Sequence, residues 1–149
     1  EQYHWQELPP LALTEQGKPY FLDVPAVHFS LSHTNGAVLA ALSAAPVGVD
    51  VERLRPVSAR IMHRLADTQD PTAFFDHWVR REALTKQNGM GVGASLHREP
   101  AAQAGVRCQA LDLFPGYAEA VASEEAVGSL RRYTLASLLE PWMQERAIT

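Results

Sequence analysis

The residues best placed to do chemistry lie in one short run, Gly48-Val49-Asp50-Val51-Glu52. Side chains alternate faces on an extended chain, so Asp50 and Glu52 share one side and the two valines the other. Two carboxylates at that spacing repel each other. A hard divalent cation held through oxygen relieves the repulsion, and Mg²⁺ suits such donors. Taken alone, the exposed polar face of an edge strand accounts for this alternation better. A second group follows a helical repeat: Phe75, Trp78, Val79, Glu82, Ala83 and Lys86 form one stripe at i, i+3, i+4, i+7 spacing. A charge in such a stripe is costly unless paired or ligated. An exposed Glu–Lys pair one turn apart would contribute only about 0.2–0.5 kcal/mol, and the stripe position argues against that account. Glu82 is thus a candidate metal ligand, and Lys86 a candidate point charge for phosphate. A third group is Phe29-Ser30-Leu31-Ser32-His33-Thr34. Ser32 and His33 could donate hydrogen bonds to a phosphate, although turn capping is the commoner role of a lone Ser–His pair.

Other chemistries find no support. No Gly-x-Ser-x-Gly elbow is present, and the Gly89, Gly91, Gly93 loop lacks the Gly-Lys-Ser/Thr ending of a P-loop. His63, His77 and His97 have no zinc-ligand spacing and read as surface or helix-face residues.

The elements that must position these groups follow from periodicity and punctuation. Residues 1–19 are polar and proline-dotted, and read as mostly irregular. Strands are expected at 27–31, 37–43 and 47–52, with a turn at Thr34-Asn35-Gly36. A short helix is expected over 57–65 and a longer one over 72–86. Asp70 and Pro71 sit at its cap and first turn, and Asn88-Gly89 ends it. Residues 106–113 and 117–123 read as two more strands, and the tail from Ser129 as a strand followed by a short helix near Pro141. Leu31, Gly36, Ala40, Ser43, Val47 and Gly48 match Leu111, Gly116, Ala120, Ser123, Val127 and Gly128 at an offset of 80. A pseudo-duplicated α+β architecture would explain that weak repeat.

The chain has 149 residues, 46% hydrophobic and 20% charged, which is enough apolar mass for a core in one domain or two small lobes. Its single cysteine, Cys108, excludes an intrachain disulfide and fits a reducing, cytoplasmic setting. No apolar run reaches membrane-spanning length, and no basic-then-apolar leader is present. A net charge of −4 without a Lys/Arg block argues against nucleic acid as a partner.

Four stretches in order, Gly17-Lys18-Pro19, Phe29 to His33, Gly48 to Glu52 and Trp78 to Lys86, resemble the motifs of the 4'-phosphopantetheinyl transferases. The order and the Asp-x-Glu form are similar to the surfactin-synthetase-activating type. The stretch from Leu113 to Ala122, with Gly116-Tyr117, resembles that family's late tyrosine-containing strand. The resemblance implies an antiparallel sheet packed against a long helix. It also implies transfer of the phosphopantetheine arm from coenzyme A to a serine of an acyl or peptidyl carrier protein, with release of 3',5'-ADP. Asp50, Glu52 and Glu82 would hold Mg²⁺, with Mn²⁺ as a substitute. Lys86 would contact the pyrophosphate, Ser32 and His33 a coenzyme A phosphate, and Lys18 and Pro19 would lie near the adenine. Glu82, directly or through a metal-bound water, would be the base. Arg81 stands where the family usually has lysine. Only 16 residues precede Gly17, where the surfactin type carries a full lobe. Residues 1–45 are therefore expected to be a remnant of that lobe, and 46–149 the lobe with the metal site. The site would be completed by identical subunits, as a dimer or trimer, or by a larger chain such as a polyketide or fatty-acid megasynthase. A non-catalytic coenzyme A or carrier-binding module is the alternative. Arg53, Arg55, Arg60 and Arg64 are candidates for a carrier-docking patch, although a solvated helix face accounts for them slightly better.

Overall fold

A computed structural model describes residues 7–91, 100 and 103–139. Besides a helical stretch at residues 135–139, two helices and seven strands occur among these residues: β1 (Leu11–Leu13), β2 (Pro19–Phe21), β3 (His28–Thr34), β4 (Ala37–Ser43), β5 (Val47–Arg53), α1 (Ala59–Ala66), α2 (Pro71–Asn88), β6 (Arg107–Leu111) and β7 (Tyr117–Ser123). All strand pairs are antiparallel: β1 with β2, β3 with β4, and a three-stranded sheet in the order β5-β7-β6. This is an α+β arrangement, as expected.

One expectation is refined and one corrected. Most of the described residues up to 19 lie outside regular elements, as expected, but Leu11–Leu13 and Pro19–Phe21 form a small hairpin that was not expected, in which Leu13 pairs with Pro19. Three-residue strands are too short to show a period of two, and Pro19 stands at a strand end, where its missing N–H costs least. Among the described tail residues no strand forms after Ser129, while residues 135–139 are helical. Pro141, His97 and most of the loop after Gly91 lie outside the described residues. The repeat at an offset of 80 corresponds to two hairpins, β3–β4 and β6–β7, of which β4 and β7 match residue for residue. It ends there: Val47 opens β5, whereas Val127 and Gly128 lie in no strand.

The central sheet is buried on both faces. On one, Val47, Val49, Val51 and Val121 pack with Leu39 of β4. On the other, Ala118, Ala120 and Ala122 of β7 meet Val79 and Ala83 of α2. Cross-strand partners point the same way, so Gly48, Asp50 and Glu52, opposite Ala122, Ala120 and Ala118, share this helix-facing side. A floor of glycine and alanine lets α2 lie close. Asp70 caps that helix by accepting from the Thr72 N–H at 2.9 Å, Pro71 occupies its first turn, and Gly89 closes it at φ 72°. Such a cap contributes about 1 kcal/mol.

Glu119 is the odd residue of the valine face. It stands opposite Val51 and is 2% exposed. Its carboxylate accepts from the Phe114 N–H at 3.1 Å and the Leu113 N–H at 3.5 Å. Burial holds its pKa above the ordinary 4.5 despite those donors. A carboxylate raised in the native state contributes stability below its unfolded pKa and loses it as pH rises through the folded value. Stability of the protein is thus expected to fall more steeply above pH 4.5 than that of Glu119→Gln. Urea unfolding at stepped pH checks this, and parallel profiles for the two proteins would refute it.

Candidate metal and phosphate site

Strand β5 has an unusual second edge. It pairs with β7 on one side, while the other side meets β3 without a backbone ladder. Two serine hydroxyls take the place of carbonyls there. The Val49 N–H donates to Ser30 Oγ at 3.0 Å, and the Val51 N–H to Ser32 Oγ at 3.3 Å. Ser30 and Ser32 are both buried, while Leu31 and His33 alternate to the exposed side of β3. The signal for this was present in the Ser-x-Ser spacing, which places both hydroxyls on one face.

Ser32 Oγ then donates to Asp50 Oδ1 at 2.7 Å. The same oxygen accepts from Lys86 Nζ, also at 2.7 Å. The other oxygen, Oδ2, is buried with no hydrogen-bond partner. Asp50 is therefore not on an exposed polar face: α2 covers it, and its side chain is 7% exposed. Glu82 is also buried, on the same stripe of α2 as Lys86 and one turn before it. Glu52 lies at the rim, where its Oε2 accepts from Arg55 at 2.9 Å. Arg55 also sits over the Phe75 ring, so this arginine belongs to the site's edge and not to a purely solvated surface.

The chain has only two lysines, Lys18 and Lys86, and both line one cleft of about 180 Å³. Pro19, Ser30, Leu31 and Gly89 are among its other walls. Lys18 Nζ donates to the carbonyls of Gln87, at 3.0 Å, and Val47, at 3.4 Å, tying the β1–β2 hairpin to the end of α2. Burial pushes its pKa down. The fold thus joins Ser32, Asp50 and Lys86 directly, and gathers Lys18, Pro19 and Lys86 around one cavity. His33 faces away from Ser32.

The donors suit a hard cation. An orphaned, buried carboxylate oxygen is costly unless a cation or donor meets it. Asp50 Oδ2, with Glu52 on the same face of the strand, presents oxygen to such an ion. Among the described residues, no three His, Cys, Asp or Glu side chains converge into a ready metal cage.

No family model matches the chain. It is 33% identical over 94 residues to the 4'-phosphopantetheinyl transferase Sfp of Bacillus subtilis, covering 55% of this chain and 42% of that protein. It is 33% identical over 92 residues to the 4'-phosphopantetheinyl transferase psf-1 of Bacillus pumilus, covering 54% and 40%. The 4'-phosphopantetheinyl transferase AcpT of Salmonella typhi matches at 33% over 97 residues, covering 55% and 50%. The chain is a relative of the 4'-phosphopantetheinyl transferases. It spans half or less of the length of these phosphopantetheinyl transferases. No helix among the described residues is long and apolar enough to cross a membrane.

Proposed function

We propose that this chain transfers the 4'-phosphopantetheine arm from coenzyme A to a serine of an apo carrier protein. The observation that carries the reading is the hydrogen-bonded set Ser32–Asp50–Lys86 beside a cleft lined by both lysines. It puts a carboxylate with one unmet oxygen next to the Lys86 ammonium, which shares the cleft with Lys18, and this suits a pyrophosphate and its cation. Asp50, Glu52 and Glu82 would hold Mg²⁺, which when bound neutralises phosphate charge. Lys86 contacts the pyrophosphate, Lys18 and Pro19 flank the adenine end, and His33 meets a coenzyme A phosphate. Ser32 lies on the opposite face of β3 and would serve by holding the Asp50 carboxylate in place rather than by joining that contact. Glu82 takes the proton of the carrier serine as its oxygen bonds to the β-phosphorus and the bond to 3',5'-ADP breaks. Positioning and charge neutralisation account for most of the rate in such transfers.

The test is transfer of a fluorescent coenzyme A arm to a panel of fatty-acid, polyketide and peptide-synthetase carriers, with Glu82→Ala as control. No transfer to any carrier, with coenzyme A still bound in calorimetry, would instead mark a non-catalytic binding module. We further propose that residues 46–149 form the lobe with the metal site, 1–45 being what this chain has of the preceding lobe, and that the protein works in the cytoplasm. Leu31, Val38 and Leu42 are exposed together on the outer face of the β3–β4 hairpin. That face supports completion by a second copy or by a further lobe. Light scattering of an active chain that shows only monomer would exclude the second copy.

A further inference from the structure

We infer that Lys86 is the resident counter-ion of Asp50, displaced when a divalent cation binds and thereby released toward phosphate. The phosphate half of this inference rests on the transferase reading; the exchange half rests on geometry alone. A carboxylate with 7% exposure needs a positive partner, and the 2.7 Å contact from Lys86 Nζ supplies one. Lys86 is 23% exposed and reaches Asp50 on a flexible four-carbon stem, so it can leave without moving α2.

Lys18 cannot play this part. Its ammonium is bound to two backbone carbonyls, acceptors that the helix end and the strand fix in place. Arg55 neutralises Glu52 in a similar way, but its side chain is 56% exposed and the pair is correspondingly weak. Asp50 Oδ1 already accepts two donors, and Oδ2 has none. A divalent cation arriving at Oδ2 meets the Lys86 charge across a single carboxylate, and the two repel in a poorly solvated site. Cation binding and the Lys86–Asp50 pair are therefore linked with negative sign, and removing the lysine charge strengthens cation binding.

Calorimetric titration of the whole chain with Mg²⁺, and separately Mn²⁺, tests this. Lys86→Met is expected to bind Mg²⁺ at least about fivefold more tightly than wild type. Lys86→Arg is expected to stay near wild type, and Asp50→Asn to lose binding. Acylation of lysine amines, mapped by peptide, provides the second measurement. Mg²⁺ is expected to raise labelling at Lys86 and leave Lys18 unchanged. Equal or weaker Mg²⁺ binding by a folded Lys86→Met overturns the exchange. If that variant does not fold, unchanged Lys86 labelling in wild type does so, as does a wild-type chain that binds neither cation. Arm transfer is not among these readouts. A chain that shows the exchange but transfers nothing keeps this inference and loses only the proposed function.

Discussion

Gly48→Ala is expected to destabilise the protein by about 3 kcal/mol, the upper part of the range for forcing atoms into a packed interior. A Cβ at that position would sit 2.0 Å from the Ala83 carbonyl oxygen and 2.4 Å from the Gln87 nitrogen. Both are backbone atoms of α2, so no side-chain rotation relieves the clash. The helix must lift off β5, and Lys86 lifts with it, away from Asp50. Urea unfolding measures the cost, and Mg²⁺ binding by whatever remains folded measures the damage to the site. Gly128→Ala is the control. Nothing lies within 4 Å of its added Cβ, and the expected change is within about 0.5 kcal/mol. Equal losses in the two variants would show that the close approach of strand and helix has no special weight.

Asp50→Asn is expected to lower arm transfer at least about a hundredfold, more than the loss usual for groups that only support a metal ligand. The substitution is nearly isosteric. It keeps one oxygen for Ser32 or Lys86 but removes the charge that answers the Lys86 ammonium 2.7 Å away. It also puts an amide nitrogen where one carboxylate oxygen had been available to a cation. Transfer assays at saturating carrier, paired with thermal unfolding, separate the two losses. A folded Asp50→Asn chain that keeps more than about a tenth of wild-type transfer, the mildest loss expected of a supporting group, would remove Asp50 from the site.

Much of this was legible in the residues. Asp70, Pro71 and Gly89 mark the ends of α2 because capping chemistry is local. The Val-Asp-Val-Glu alternation sorted the two faces of β5 correctly, because strand geometry allows only two directions. The same alternation left the fate of Asp50 open, and burial went against the exposed-edge account. The backbone edge is real, but Ser30 and Ser32 meet it with hydroxyls, an arrangement that no single-strand pattern announces. The β1–β2 hairpin escaped notice because three residues carry too little periodicity.

The local order of residues was enough to name the candidate groups. It put Glu82 and Lys86 on one helical stripe and Asp50 and Glu52 on one strand face, and it set Ser32 and His33 at adjacent positions of another strand. Which of these groups meet was decided by tertiary structure. Ser32 lies 18 residues before Asp50, and Lys86 lies 36 after it. Spacing within a helix or strand reports only on neighbours a turn or a pleat apart. The meeting of three separate elements depends on how closely they pack. Here that closeness comes from Gly48 and the alanines of β7, side chains small enough for α2 to bring a lysine down onto a buried aspartate.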